Sequence, residues 1–201
     1  MSGYLDATGY LIEDVRNIES KDINLDHILH CLSRIYRYNG ATRRPVSVLQ
    51  HTYAGYLIAV DYLPGVDERF LLSWLMHDFH EAYFGDIPTD FKRWNNNLSD
   101  EIDAMSNKID AAIFGRFAPG MKPCPYSELR GLDLLMLYVE RKFWCDDPEE
   151  YRGDIWDVFR AGYEHIHDEE FRMDMRFVIG LSEDKLIKYM KNLLQLNGAT
   201  L

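Results

Sequence analysis

The chain has 201 residues and a formal net charge of -11 at neutral pH. That length accommodates one domain with a substantial core, and the acidic balance argues against duplex nucleic acid or anionic membrane as partners. An ordinary apolar share and 13 tyrosines exclude a disordered chain.

No apolar run approaches the roughly 18 residues of a membrane span. The N-terminal stretch lacks a basic start followed by an apolar segment, so no secretory signal is expected there. Cys31, Cys124 and Cys145 are widely spaced and odd in number, which reads as reduced thiols of a cytoplasmic protein.

Helical periodicity runs through the chain. Over residues 24–36, Leu25, Ile28, Leu29, Leu32 and Ile35 recur at steps of three and four, and Asn39-Gly40 ends the pattern. A loop follows to Pro45 and carries Arg43 and Arg44, which with Arg34 and Arg37 form the densest basic cluster. Ser47 is the expected N-cap of a helix running to Tyr62, closed by Pro64-Gly65.

The most apolar helix is expected from Glu68 to about Phe84, with His77 and Asp78 near its end and a turn at Gly85-Asp86-Ile87-Pro88. Further helices are predicted over 99–117 with Ser99 as N-cap, 127–146, 148–165, 169–179 and 183–196. No useful length alternates with period two, and no linker divides the chain. The fold class is therefore all-α, a single domain over 1–201 with its core in about 25–180.

His51, His77, Asp78 and Asp133 are the residue types that a divalent metal takes, and three of the four lie in apolar helical stretches. Four such groups in one core without a cation would leave buried carboxylates unpaired. Glu81 follows His77 by four residues, so a continuous helix puts both on one face. It is placed beside the metal, where a carboxylate serves the attacking water. His27 and His30 read as surface or partly buried neutral side chains, His165 and His167 as solvated. His80 is expected not to be a ligand. Lys92 and Arg93 read equally well as solvated loop charges.

The stretch from Met76 to Pro88, Met-His-Asp-Phe-His-Glu-Ala-Tyr-Phe-Gly-Asp-Ile-Pro, closely resembles the second motif of the HD-domain phosphohydrolases, in particular their small deoxynucleotidase branch. Ser47 to His51 resembles that branch's first-histidine motif, and Leu132-Asp133 with Leu137 and Glu140 its last-aspartate helix. The likeness covers roughly residues 25 to 145.

It implies an HD-type helical bundle around one divalent ion (zinc, cobalt or manganese) held by His51, His77, Asp78 and Asp133, with Glu81 as the catalytic residue. It also implies that Arg37 meets phosphate, that Tyr38, in place of the usual Trp, packs on the nucleoside, and that Asp86 reads the 3′-hydroxyl. Lys92 and Arg130 match positions that bind further phosphates.

The expected activity is metal-dependent hydrolysis of deoxynucleotides. Similarity to short viral dATP triphosphohydrolases, which act in the host cytoplasm, favours release of deoxyadenosine and triphosphate. The alternative is a 5′-deoxynucleotidase releasing phosphate from monophosphates, and a further one is a non-catalytic nucleotide-binding metalloprotein. A homo-oligomer, dimer or larger, is expected.

Overall fold

The computed structural model describes residues 4–42, 44–92, 94–144 and 169–201. The helix predicted over 148–165 lies outside them, as do Arg43, Arg93, Cys145, His165 and His167.

The protein is mostly helical. Its sheet is a short antiparallel ribbon, β1 (Tyr4–Leu5) and β2 (Leu11–Ile12), with Tyr4 opposite Ile12. Asp6 closes the turn, its Oδ1 accepting from the backbone of Thr8 at 2.9 Å and of Tyr10 at 2.8 Å. Strands of two residues are too short to leave an alternating pattern, which is why periodicity misses them.

Helix α1 (Leu25–Leu32) starts under an Asn24 cap that accepts from Asp26 and His27. After it the backbone of Val48 donates to Ile35 and that of Arg37 to Val46, both at 2.9 Å, so residues 35–37 are bonded to residues 46–48 at the start of the next helix. That helix, α2 (Val48–Tyr62), has the predicted Ser47 cap, and Gln50 returns a bond to Ser47 as a capping box. Helices α3 (Glu68–Met76), α4 (Glu81–Phe84) and α5 (Thr89–Lys92) follow.

Helix α6 (Asn96–Phe117) begins three residues before the predicted start, because Asn95 is the cap and the Ser99 amide already bonds back to it. Helix α7 (Tyr126–Val139) runs into a π-helical turn, Glu140–Trp144. Helices α8 (Glu169–Gly180) and α9 (Glu183–Leu196) complete the described chain.

Nine of the 15 residues of α2 are buried, on every side of the helix. A helix apolar all round belongs in the centre, and α2 packs against α1, α3, α7, α8 and α9. One continuous apolar core reaches from Ile12 to Leu194, past both ends of the stretch expected to hold it. His27 is part of this interior: it is 2% exposed and bonds to the Tyr4 hydroxyl at 3.0 Å. Burial lowers its pKa, so it is neutral, as expected, but fully buried.

Two positions in α2 and α3 set the spacing at the centre. The Trp74 indole donates to the backbone oxygen of Thr52 at 2.9 Å, and its ring lies against Gly55. A Cβ at residue 55 would overlap that ring. Gly55→Ala is therefore expected to destabilise the protein by about 1–3 kcal/mol through overpacking, read as a lower midpoint in urea. An unchanged midpoint would show that Trp74 moves aside freely.

Candidate metal centre

His51 stands one turn into α2, where the capping box fixes the helix start. It is fully buried, and its Nδ1 lies 2.6 Å from Glu140 Oε1. Glu140 is wholly buried, and His51, Arg37 and Tyr38 hold its pKa down at about 2 against the opposing effect of burial. A carboxylate accepts hydrogen bonds, so Nδ1 is the donor to Glu140 and Nε2 is the atom that His51 turns toward the two aspartates.

His77 caps the end of α3 and repeats the logic. Its Nδ1 donates to the Trp74 carbonyl at 2.6 Å, and the imidazole stacks on the Trp74 ring at 4.2 Å. The two imidazole rings stand 5.6 Å apart, and both Nε2 atoms are buried, with no well-aligned hydrogen bond, toward the two aspartates.

Two carboxylates meet these nitrogens. Asp78 Oδ2 lies 3.0 Å from His77 Nε2 and 3.7 Å from His51 Nε2, and Asp133 Oδ1 lies 3.6 Å from His51 Nε2. Ligand atoms about 2.1 Å from one ion stand roughly 3–4 Å from each other, and these separations fall in that range. One ligand atom each from His51, His77 and Asp133 lie mutually within 4.8 Å. The residues fit a divalent ion: buried imidazole nitrogens and hard carboxylate oxygens close together. The Tyr126 hydroxyl fixes the second oxygen of Asp133, donating to Oδ2 at 2.7 Å.

The structure corrects the reading of Glu81. Helix α3 ends at Met76, and the chain from Trp74 to Tyr83 is held by bonds between residues three apart, including Glu81 to Asp78 at 3.0 Å. In such a tight turn residues three apart eclipse. Glu81 therefore shares a face with Asp78 rather than with His77. It is 6% exposed, with Oε2 buried and unpartnered. Burial first, then the charges of Asp78 and Asp86, raise its pKa well above the usual range. His80 turns away: its Nδ1 pairs with Asp110 on α6 at 3.0 Å, in keeping with its exclusion as a ligand.

Asp86 follows Gly85, whose φ of 88° and ψ of 167° suit glycine alone. Burial raises the pKa of Asp86, with Arg37 and Lys92 opposing, so both cations stand near enough to act on it. Lys92, on α5, is also felt by Glu81. Arg130 is on the exposed side of α7, in the electrostatic reach of Tyr126.

Arg37 and Tyr38 both face Glu140: Arg37 Nε donates to Oε2 at 3.0 Å and the Tyr38 hydroxyl at 2.7 Å. Tyr38 and Asn39 have φ values of 57° and 53°, left-handed and unusual for residues other than glycine. Such conformations cost about 1–3 kcal/mol each and persist where the surroundings enforce them.

Glu140 belongs to the stretch that resembles the last-aspartate helix, but the resemblance implies no role for it. The available signal was its spacing of seven from Asp133, two turns along one face of α7. Trp74 and Tyr126, which orient His77 and Asp133, left no comparable signal.

Asp133→Ala is expected to reduce bound divalent metal from one equivalent to a small fraction, measured by elemental analysis after dialysis against the free ion. Full occupancy in that variant would remove Asp133 from the ligand set.

No family model matches the chain. It is 34% identical over 145 residues to the uncharacterized protein YfdR of Escherichia coli, covering 72% of this chain and 71% of that protein. It is also 32% identical over 107 residues to an uncharacterized protein of Rhodobacter capsulatus, spanning about half the length of each. With that identity and coverage, the chain belongs to the family of YfdR.

Proposed function

We propose that the protein is a metal-dependent phosphohydrolase of deoxynucleotides, of the HD-domain type, with dATP as substrate and deoxyadenosine and triphosphate as products. One observation supports this above the others. Two buried imidazole nitrogens and the Asp133 carboxylate come together, Asp78 Oδ2 lies 3.0 Å from one of those nitrogens, and a further buried carboxylate, Glu81, lies within electrostatic reach of Asp78. A purely structural metal would more often be enclosed by Cys and His and would have no use for that extra group.

His51, His77, Asp78 and Asp133 would hold the ion. When bound, it supplies Lewis acidity, which makes a nearby water a better nucleophile and offsets charge on phosphate. Glu81 takes the proton of that water, a task suited by its raised pKa. Attack at the phosphorus nearest the sugar breaks its bond to the 5′-oxygen, and the proton passes from Glu81 to that oxygen.

Arg37 is the buried cation of the site and directs its remaining N–H groups to the phosphate. Asp86 accepts the 3′-hydroxyl, and Tyr38 packs beside the sugar. Lys92 and Arg130 support the triphosphate, whose departing charge calls for several donors. Adenine rests on the family resemblance.

A second reading, a 5′-deoxynucleotidase, is favoured by the exposure of Arg130, which leaves Arg37 as the cation nearest the centre. Incubation with dATP, dGTP, ATP and dAMP separates the two. Deoxyadenosine and triphosphate are expected fastest from dATP, with ATP slower by about 10- to 100-fold. Faster phosphate release from dAMP would establish the second reading instead.

Glu81→Gln keeps the shape and removes the base. It is expected to retain its metal and to lose about 10²–10⁴ in kcat. A parallel loss of metal would make Glu81 a ligand.

A further inference from the structure

Glu140 lies where α7 gives way to its π-helical turn, and nothing in the proposed chemistry uses it. Among the described residues it gathers three donors from two distant parts of the chain. Oε1 takes His51 Nδ1 at 2.6 Å, and Oε2 takes the Tyr38 hydroxyl at 2.7 Å and Arg37 Nε at 3.0 Å. Arg37 alone would pair the charge of this buried carboxylate. The other two bonds therefore carry geometry: one fixes the proton of a metal ligand, and the other holds Tyr38 in its left-handed conformation.

The Arg37–Gly40 turn and the His51 imidazole thus share one carboxylate, so moving that carboxylate displaces the partner atoms of both. The π-helical turn suits this role, since its wide pitch occurs where a helix must aim a side chain at a functional site.

We propose that Glu140 is a positioning residue that couples the metal centre to the substrate-facing Arg37–Gly40 turn. It does so by holding His51 as an Nε2 ligand and Tyr38 in its left-handed form with one carboxylate. The coupling rests on the metal-centre reading above. Its consequence is that metal affinity depends on the hydroxyl of Tyr38, a residue outside the ligand set.

The test measures cobalt(II) affinity at fixed pH and low temperature for the wild type, Tyr38→Phe and Glu140→Gln. Nitrogen NMR of the metal-free proteins reports which nitrogen of His51 carries the proton. Glu140→Gln is expected to weaken cobalt binding about 10- to 100-fold, the range for lost outer partners of metal ligands. It should also shift the His51 proton toward Nε2. Tyr38→Phe, which removes one of the three bonds, is expected to weaken binding roughly 3- to 10-fold.

A lower melting temperature with wild-type cobalt affinity and an unchanged His51 proton would make Glu140 merely structural and overturn the proposal. Should Glu140→Gln fail to fold, Tyr38→Phe decides alone, and wild-type affinity in that variant overturns the coupling. A wild type that binds no cobalt overturns the coupling together with the metal centre. The readout is binding, so a protein that takes cobalt but hydrolyses no nucleotide refutes only the enzymatic reading.

Discussion

A histidine binds a metal only through a nitrogen that carries no proton, so this site depends on where two protons sit. Glu140 takes the one on His51 and the Trp74 carbonyl takes the one on His77, both at 2.6 Å. Each acceptor is itself immobile: Glu140 is buried under three donors, and the Trp74 carbonyl belongs to the last turn of α3. What remains is a pair of buried Nε2 atoms turned toward Asp78 and Asp133. Left without a cation, that arrangement sets electron-rich atoms against each other in a low-dielectric interior. Around the centre, among the described residues, Asp78, Glu81, Asp86, Asp133 and Glu140 face Arg37, Lys92 and Arg130.

The rest of the fold serves this geometry. Trp74 is both the wall against which His77 stacks and the plug that joins α3 to α2, a contact possible because residue 55 has no side chain. The His51 backbone is fixed by the Ser47–Gln50 capping box and by the bonds that tie residues 35–37 to residues 46–48 at the helix start. The stretch between those bonds carries Arg37 and Tyr38, so local capping and the distant carboxylate of Glu140 act on one segment. No described helix is long and apolar enough to cross a membrane. The long apolar stretches of α2 and α3 are explained by their central position.

Most of the helices were legible in the sequence because their signals are local. Ser47 with Gln50 three residues later is a reciprocal cap that needs no tertiary contact, and it holds here. Residue type and context pointed to His51, His77, Asp78 and Asp133; the fold gathers His51, His77 and Asp133 within 4.8 Å of one another and leaves Asp78 outside that group, 3.0 Å from His77 Nε2. What failed was the assumption of an unbroken helix through His77. Apolar periodicity runs on past Met76, yet the backbone tightens there and exchanges a partner of His77 for one of Asp78. Periodicity does not distinguish 3.6 from 3.0 residues per turn over so few residues. The partners of Glu140 were hidden for a different reason: its spacing from Asp133 marks its face, but His51 and Arg37 lie 89 and 103 residues away, and only the tertiary packing brings them to it.

Proton NMR of the cobalt-loaded protein reads both histidines at once, because imidazole N–H protons near a paramagnetic ion are shifted far from the rest of the spectrum. Two strongly shifted signals that vanish in heavy water are expected, one from Nδ1–H of His51 and one from Nδ1–H of His77. Replacing either histidine should remove one of them. A spectrum with no such signals, or with a pair that survives the loss of both histidines, would contradict a metal centre built on these two residues.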